Sequence, residues 1–238
     1  MNINTKQRIA DIVTQFPKTT EIMHQYKMDY CCGGRRTLGE VLATENGGTL
    51  KAKESEILDK LEQASKESID IAEKTSREWF NAPSRELIDH IVNHHHVWTF
   101  QTLNTLNELT PKILRVHYAH GTETLLTVHR LFGMIKLELE AHLIKEEVNL
   151  FPMITKYEET KDPQLLEEIQ RFIIDTEHEH DAAGDLIKEL DGLTDNFTPP
   201  EWGCLSVKKT WELLDALQKD LFQHIHLENS ILFERYTG

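Results

Sequence analysis

Two histidine–glutamate pairs occur at the same spacing in separate parts of the sequence. His142 precedes Glu146 by four residues, and Leu-Phe follows the glutamate after four more. His224 and Glu228 repeat this pattern together with its Leu-Phe ending. A step of four residues turns an α-helix by about 400°, so each histidine lies on the same helix face as its glutamate. Imidazole nitrogen and carboxylate oxygen together suit iron, zinc or manganese. The repeat therefore predicts a metal site between two helices.

The apolar faces of the predicted helices contain these pairs. His142 and Glu146 continue the apolar face of one helix, and His224 and Glu228 lie within that of another. The two faces consist of Val128, Leu131, Phe132, Ile135 and Leu139, and of Leu214, Leu217, Leu221 and Ile225. A further helix places His180 at the centre of its own face, made of Leu165, Ile169, Phe172, Ile173 and Ile187. Glu147, His178 and His226 fall outside these faces.

Burial of two ionised carboxylates in an apolar bundle costs several kcal/mol each unless cations pair with them. No lysine or arginine occupies the apolar faces that carry Glu146 and Glu228. A pair of metal ions would supply the missing positive charge, with imidazoles at the outer positions and carboxylates bridging. This interpretation is favoured over a chance arrangement of hydrogen-bonded core histidines.

The first long helix offers four histidines, at positions 90, 94, 95 and 96. Helical periodicity favours His95 as the inward one and puts His96 at the edge of the apolar arc. That arc is formed by Leu87, Ile88, Ile91, Val92, Trp98 and Leu103. The residues alone leave the choice between His95 and His96 open.

Apolar residues recur every three to four positions almost throughout, which predicts an all-α protein. Four long helical segments are predicted at 84–119 (with a kink or split at Pro111), 122–148, 163–190 and 203–235. The glycines and prolines that mark the ends of these segments are Gly121, Pro152, Pro163, Gly192 and Pro199-Pro200. Short connections favour an antiparallel four-helix bundle over a helical repeat array. We expect a bundle over 80–238, a helical linker over 57–79 and a small helical N-terminal domain over 1–56.

The predicted N-terminal domain has helical stretches at Ile9–Phe16 and Thr20–Tyr26, followed by the motif Tyr30-Cys31-Cys32-Gly33-Gly34. The three cysteines make an odd count, which does not form a secreted disulfide framework. Adjacent Cys31 and Cys32 are poor disulfide partners, because their Cα atoms lie only about 3.8 Å apart. We therefore expect free thiols. Glycines could let backbone amides face these thiols and lower their pKa, whereas Cys204 is expected to be structural.

The net charge and the lengths of the apolar runs exclude some classes of function. The formal net charge of −14 argues against generic nucleic-acid binding, which needs a basic face. No apolar run approaches the length of a membrane span, and the first residues contain no apolar signal region. We expect a cytoplasmic protein without membrane partners. His24, His117, His120 and His129 lie on none of the apolar faces, so we expect them at the surface.

The motifs taken together resemble those of the di-iron family called Repair of Iron Centers. They are Tyr30-Cys31-Cys32-Gly33-Gly34, His142-Leu-Ile-Lys-Glu146-Glu147, Glu179-His180-Asp181 with Gly184, His224-Ile-His-Leu-Glu228-Asn229, and a run from Asp11 to Thr19. The resemblance implies a hemerythrin-like bundle behind a small N-terminal domain. It also implies two iron ions, Fe²⁺ or Fe³⁺, with an oxo or hydroxo bridge. The implied ligands are His96, His142, Glu146, His180, His224 and Glu228, so the family pattern favours His96 over His95.

The same resemblance implies a protein that repairs iron–sulfur clusters damaged by oxidative or nitrosative stress. Its partners would be iron–sulfur client proteins and small diatomic ligands such as NO and O₂. Cys31 and Cys32 would then take a redox or iron-handling part in the reaction. Two alternatives stay open: a di-iron enzyme that reduces and detoxifies nitric oxide, and a hemerythrin-like sensor or binder of O₂ or NO. The client protein and the oligomeric state are also open, with a homodimer as one option.

Overall fold

The computed structural model describes residues 3–71 and 76–237. The helices before the long bundle segments are α1 Ile9–Gln15, α2 Thr19–Gln25, α3 Leu38–Thr44, α4 Glu54–Ile71 and α5 Ser76–Asn81, with a 3₁₀ segment at Glu45–Lys53. The later helices are α6 Ser84–His90, α7 Val97–Val116, α8 Tyr118–Lys145, α9 Phe151–Thr160, α10 Pro163–Leu193, α11 Leu205–Leu227 and α12 Glu234–Thr237. Within the described ranges there is no β-strand, so the all-α prediction is confirmed.

Three of the long helices contain a π-helical turn. These turns are π1 Ile91–His96, π2 Glu146–Leu150 and π3 Glu228–Leu232. A π turn closes i→i+5 hydrogen bonds, so it holds more residues per turn than an α-helix and rotates the side chains that follow. Each turn contains or borders a predicted ligand, and π turns of this kind are frequent at functional sites.

One compact unit comprises Ile88–His224. It holds four long helical rods: π1 with α7, α8 with π2 and α9, α10, and the first part of α11. Helix α8 packs against both α7 and α10. Asp162 caps the start of α10 by accepting a hydrogen bond from the Gln164 amide at 2.9 Å, and Pro163 occupies the first helical position. One residue joins α7 to α8 and two join α9 to α10, as in an up-and-down bundle, whereas residues 194–204 form a longer connection from α10 to α11.

The other compact unit comprises Met1–Leu87 together with Ile225–Gly238. The end of the chain is part of this unit through long-range polar contacts. Arg8 forms an ion pair of 2.8 Å with Glu234, and Thr14 Oγ1 lies 3.1 Å from His226 Nε2. The Tyr236 hydroxyl donates a hydrogen bond of 2.6 Å to Ser84 Oγ. The predicted boundaries at 56 and 80 stay predictions.

Several predicted element ends differ from the observed ones. Helix α7 continues through Pro111 without a split. The second rod does not end near 148 but continues through π2 to Thr160. Pro152 lies inside this continuous rod, where π2 returns to α-helix, and it does not end the rod. Helix α3 escaped prediction, although Thr37 and Glu40 form a capping box at its start.

The N-terminal helices α1 and α2 confirm the two stretches predicted there. The segment 57–79, predicted to be helical, overlaps α4 and α5, and residues 72–75 lie outside the described part of the chain. None of the described helices has both the length and the apolar character that a bilayer crossing requires.

Candidate metal centre

Five of the six predicted ligands lie in the unit formed by Ile88–His224, and all five are buried. His96 is the last residue of π1, His142 lies one turn before the end of α8, and Glu146 opens π2. His180 lies in the middle of α10 and His224 near the end of α11. Four rods therefore each direct at least one predicted ligand into the interior of the bundle.

The ligand atoms form two groups that share Glu146. In one group, His96 Nε2 lies 3.2 Å from His224 Nε2 and 3.5 Å from Glu146 Oε2. In the other, His142 Nε2 lies 3.0 Å from His180 Nε2 and 3.4 Å from Glu146 Oε2. The second carboxylate oxygen, Glu146 Oε1, lies 3.9 Å from His180 Nε2. Glu146 thus faces both imidazole pairs at once.

The spacing of the imidazole nitrogens fits a shared metal ion. Two nitrogens bound to one ion at about 2.1 Å lie roughly 3 Å apart. The two Nε2–Nε2 distances, 3.2 and 3.0 Å, match that value. Glu146 has no exposed surface, and burial of a carboxylate is costly unless a cation pairs with it. The donor set therefore fits metal binding.

Glu228 follows His224 by four residues on the same continuous helix and is the first residue of π3. The boundary between the two compact units passes between these residues. Its side chain is fully buried. Glu228 therefore stands one turn beyond His224, which is the relation that the repeated motif predicts.

The outer nitrogens of two of these histidines are held by carboxylates that sequence reasoning did not identify. His96 Nδ1 donates to Glu147 Oε1 at 2.8 Å, and His142 Nδ1 donates to Glu179 Oε2 at 2.9 Å. A carboxylate can only accept, so each Nδ1 carries a proton, and in the neutral form of the ring the Nε2 lone pair then faces inward. This carboxylate–histidine arrangement is typical of metal-binding histidines. Glu147 lies off the apolar face, as predicted, but its hydrogen bond holds the ring of His96.

Glu179 also forms an ion pair with Lys145, whose Nζ lies 2.6 Å from Oε1. The hydrogen bond from His142 and the contact with Lys145 lower the pKa of Glu179 to about 2, against the effect of burial. Glu179 is therefore ionised at neutral pH and holds His142 in one orientation. Its place directly before His180 in the sequence gave no signal of this role.

His95 is buried like His96 but points elsewhere. Its Nδ1 lies 2.9 Å from Asp220 Oδ1, and neither ligand group contains it. Helical periodicity misplaced this pair because it assumes 100° per residue, whereas a residue in a π turn advances less. The structure places His96, the residue that the resemblance favours, beside Glu146 and His224. His178 is exposed, as its phase predicts.

The cysteine motif lies in the unit that includes both chain ends. Asp29 Oδ1 accepts hydrogen bonds from the backbone amides of Cys32 and Gly33 at 3.0 and 3.2 Å, and from the Cys31 thiol at 3.2 Å. A Cβ at Gly33 would lie 2.6 Å from the Asp29 carbonyl oxygen, so this tight turn requires glycine. Tyr30 packs edge-on against His226 with ring centroids 5.8 Å apart. The thiols therefore lie beside the helix segment that carries Glu228.

All three cysteines are free, as predicted. The Sγ atoms of Cys31 and Cys32 are 3.6 Å apart, well beyond the roughly 2.05 Å of a disulfide. The expectation of a lowered thiol pKa is wrong for Cys31. Burial of the side chain, aided by its contacts with Cys32 and Asp29, raises the pKa of Cys31. The amides expected to face the thiols bind Asp29 instead.

Several residues outside the centre differ from their predicted environments. Cys204 is exposed rather than structural, and its Sγ lies 3.1 Å from His117 Nε2 just before α11. Backbone amides of that helix and His117 lower the pKa of Cys204 to about 7. His120 is exposed as expected, whereas His24 and His129 are half-buried and bond Tyr30 and Thr110.

An open cavity of about 460 Å³ adjoins the His96 side of the centre. Its lining is Ile88, Val92, Glu147, Phe151, Pro152, Thr155, Lys156 and Glu159. Two of these residues contact His96: Glu147 through the hydrogen bond to Nδ1, and Phe151 by stacking at a centroid distance of 5.8 Å. The cavity thus reaches a ring that belongs to the first ligand group.

Comparisons with known proteins agree with this architecture. The family model "Hemerythrin HHE cation binding domain" matches residues 87–236, which include all six predicted ligands. The model ScdA_N, described as a domain of unknown function (DUF542), matches residues 5–65. The "Probable iron-sulfur cluster repair protein" of Haemophilus influenzae is 34% identical over 232 residues, which cover 97% of this chain and 96% of that protein.

Further relatives cover the chain equally well. The "Iron-sulfur cluster repair protein YtfE" of Citrobacter koseri is 31% identical over 229 residues, 96% of each chain. The protein of the same name from Escherichia coli O17:K52:H18 shows the same identity and coverage. The resemblance stated from the motifs is thereby confirmed: the chain belongs to the family of iron–sulfur cluster repair proteins, in which a hemerythrin-like four-helix bundle follows an ScdA_N domain.

Proposed function

We propose that this protein binds two iron ions in the bundle and uses them to repair iron–sulfur clusters damaged by oxidative or nitrosative stress. The observation that carries the proposal is Glu146, a fully buried carboxylate whose oxygens lie 3.4 to 3.9 Å from imidazole nitrogens of both histidine pairs. The names of the relatives support the repair role, and the cation-binding domain supports the metal.

The ligand set would be His96 and His224 for one ion and His142 and His180 for the other, with Glu146 and Glu228 bridging. Neutral imidazoles contribute no charge, so the two carboxylates would offset half of the charge of a ferrous pair. Iron bound in this way supplies metal for transfer and electrons for reduction of a small ligand. Glu147 and Glu179 keep His96 and His142 in the tautomer that presents Nε2 inward.

Cys31 and Cys32 would act in iron transfer between the bundle and the damaged client. Their sulfur atoms and a carboxylate oxygen of Asp29 lie within 4.8 Å of one another, which suits an ion in transit. Contact of Tyr30 with His226 holds this turn beside the segment that carries Glu228. Thiolate ligands are softer than the bundle's oxygen and nitrogen ligands, so the two places differ in their preference for the oxidation state of iron.

The test is anaerobic repair of a [4Fe–4S] protein that nitric oxide has damaged, followed by recovery of that protein's own activity. The iron-loaded wild-type chain should restore activity. The variant Glu146→Gln should lose iron and repair together, because a neutral amide bridges cations poorly, while Glu123→Gln on the exposed face of α8 should match the wild type. Retention of two irons per chain in Glu146→Gln would refute the proposed centre.

A second variant separates the thiols from the iron. Cys31→Ser with Cys32→Ser should keep both irons and their visible spectrum, because all six proposed ligands lie elsewhere. Repair should nevertheless fall. Loss of iron in this double variant would place the thiols at the metal centre, and full repair would exclude them from the transfer.

A reductase of nitric oxide is the second candidate, and the cavity beside His96 is the observation that favours it. Its lining is largely apolar, which suits an uncharged diatomic molecule, and it includes two residues that contact His96. Steady turnover of nitric oxide with an electron donor, abolished by Glu146→Gln, would support this activity. Cluster repair without any nitric oxide consumption would exclude it.

A further inference from the structure

Three histidines outside the ligand groups form a cluster on the first rod. His90 and His94 stack with their planes 11° apart and ring centroids 5.2 Å apart. The ring of His95 meets both edge-on, at 5.4 Å from His90 and 5.1 Å from His94. The π1 turn explains this meeting: in an α-helix a residue five positions on points away, whereas a π turn brings both the fourth and the fifth residue back over the first.

The centroid spacing is the one that imidazoles adopt around a single ion. A nitrogen bound at about 2.1 Å places the ring centroid about 3.2 Å from the metal, so tetrahedral neighbours have centroids about 5 Å apart. All three centroid distances in the cluster fall at this value. Binding of one ion by all three rings would require the half-buried His90 ring and the exposed His94 ring to turn about their Cβ–Cγ bonds, because their planes are almost parallel.

His95 has the hydrogen-bonding pattern of a metal ligand without being part of the proposed iron centre. Its Nδ1 is held by Asp220 Oδ1 at 2.9 Å, whereas its Nε2 is buried and has no hydrogen-bond partner in the described part of the chain. The second Asp220 oxygen is likewise buried without such a partner. A carboxylate on one imidazole nitrogen commonly accompanies a metal on the other.

We propose that His90, His94 and His95, backed by Asp220, form a second metal site that binds one divalent transition-metal ion such as Zn²⁺ or Co²⁺. Three imidazoles and a carboxylate suit ions of this class. The site is independent of the proposed iron pair, because it shares no ligand with either group around Glu146. It lies close to that centre, since the rings of His95 and His224 stack at 5.6 Å.

The test is titration of the iron-loaded full chain with Co²⁺, followed by calorimetry and visible absorption. Wild type should take up one Co²⁺ with the intense visible bands of a tetrahedral ion, and its iron content should not change. His94→Ala should weaken binding about tenfold or more, and Asp220→Asn by about 10- to 100-fold. His178→Ala removes an exposed histidine of the same unit outside the cluster, and it should bind as wild type does.

Two further measurements distinguish this site from Co²⁺ binding at the iron centre or at the thiols. Iron is measured after the titration, and release of iron as Co²⁺ binds would overturn the proposal by locating the ion in the iron centre. The titration is repeated with Cys31→Ser and Cys32→Ser, and loss of the Co²⁺ equivalent there would assign it to the thiols. Equal stoichiometry and affinity in His90→Ala with His94→Ala and in His178→Ala would also overturn it.

Discussion

The orientation of the predicted ligands depends on acidic side chains that never face the centre. Glu147 and Glu179 bind the outer nitrogens of His96 and His142, and Asp220 does the same for His95. A histidine ring without such a partner can rotate and can carry its proton on either nitrogen. The carboxylates remove both freedoms, and this lowers the cost of ordering the site when metal binds.

Replacement of Glu147 tests this role directly. We expect Glu147→Ala to fold and to bind iron about 10- to 100-fold more weakly, because the acceptor for His96 Nδ1 is lost. The measure is iron retained against a competing chelator. Asn149→Ala, two residues further along π2 and also exposed, is the matched control and should retain iron as wild type does. Equal retention in both variants would show that His96 needs no carboxylate.

Cys204 is expected to be the most acidic of the thiols whose pKa is shifted. Its pKa of about 7 means that the thiolate, the reactive form, increases as the pH rises through 7 and approaches its maximum near pH 8. Iodoacetamide labelling followed by mass spectrometry should show this profile at Cys204. Cys31 should label slowly at neutral pH, since it is buried and its pKa is raised. In His117→Ala the midpoint for Cys204 should move up toward about 8.5, and an unmoved midpoint would remove His117 from the explanation.

At the scale of elements, the three π turns coincide with the predicted ligands. His96 ends π1, Glu146 opens π2 and Glu228 opens π3. A π turn is less stable than the α-helix it interrupts, and such turns persist where function requires them. We infer that they set the angular position of the ligands, which a regular helix with these apolar faces would not provide.

Deletion of Asn93 tests the first of these turns. Asn93 is exposed, so its removal costs little packing, but it takes one residue out of π1. The rod should then become regular α-helix. Four α-helical residues cover nearly the angle that five residues cover in π1, so the histidine that becomes residue 95 should keep its phase relative to the apolar residues before position 91. We expect unchanged helix content by circular dichroism and retained iron, whereas insertion of one alanine after Asn93 shifts that phase by about 100° and should release iron. Asn93→Ala keeps the turn and should keep the iron. Loss of iron in the deletion variant would show that π1 itself is required, and not only the phase that it sets.

The long helices were predictable because their apolar faces repeat over five turns or more, and a repeated period resists local exceptions. The inward orientation of His142, His180 and His224 could be predicted from the apolar spacing, because these residues lie in regular helix. The same method could not separate His96 from His95, because the apolar spacing does not reveal a π turn.

The prediction for the thiols failed for another reason. The pKa of Cys31 depends on burial by residues distant in the chain, and the neighbouring glycines do not reveal that burial.

At the scale of the whole molecule, the last segment of the chain belongs with the first. Residues 225–238 form a compact unit with residues 1–87, through contacts such as Arg8 with Glu234 and Thr14 with His226. His226 is fully buried in that unit, although its helix phase turns it away from the ligand faces. The segment from Ile225 onward therefore depends on the N-terminal region for part of its cover.

A chain that begins at Asn81 tests this dependence. The ligand positions alone predict that it folds and keeps two irons, since all six lie beyond residue 81. The structure predicts that the shortened chain is less stable, because His226 loses its contact with Tyr30 and Glu234 loses its ion pair with Arg8. We expect a lower midpoint of thermal unfolding and faster loss of iron to a chelator than in the full chain. Unchanged values would show that residues 225–238 need no cover from residues 1–80.

The pairing of segments so distant in the sequence also sets an order of events during synthesis. Arg8 and Thr14 leave the ribosome before their partners Glu234 and His226, which are 226 and 212 residues further along. The region around Arg8 and Thr14 therefore stays incompletely covered until residues 225–237 have been translated. Closure of such a long loop is slow compared with the formation of local helices. A nascent chain that stalls before residue 225 would present the cysteine turn to the cell without the helix that normally packs against it.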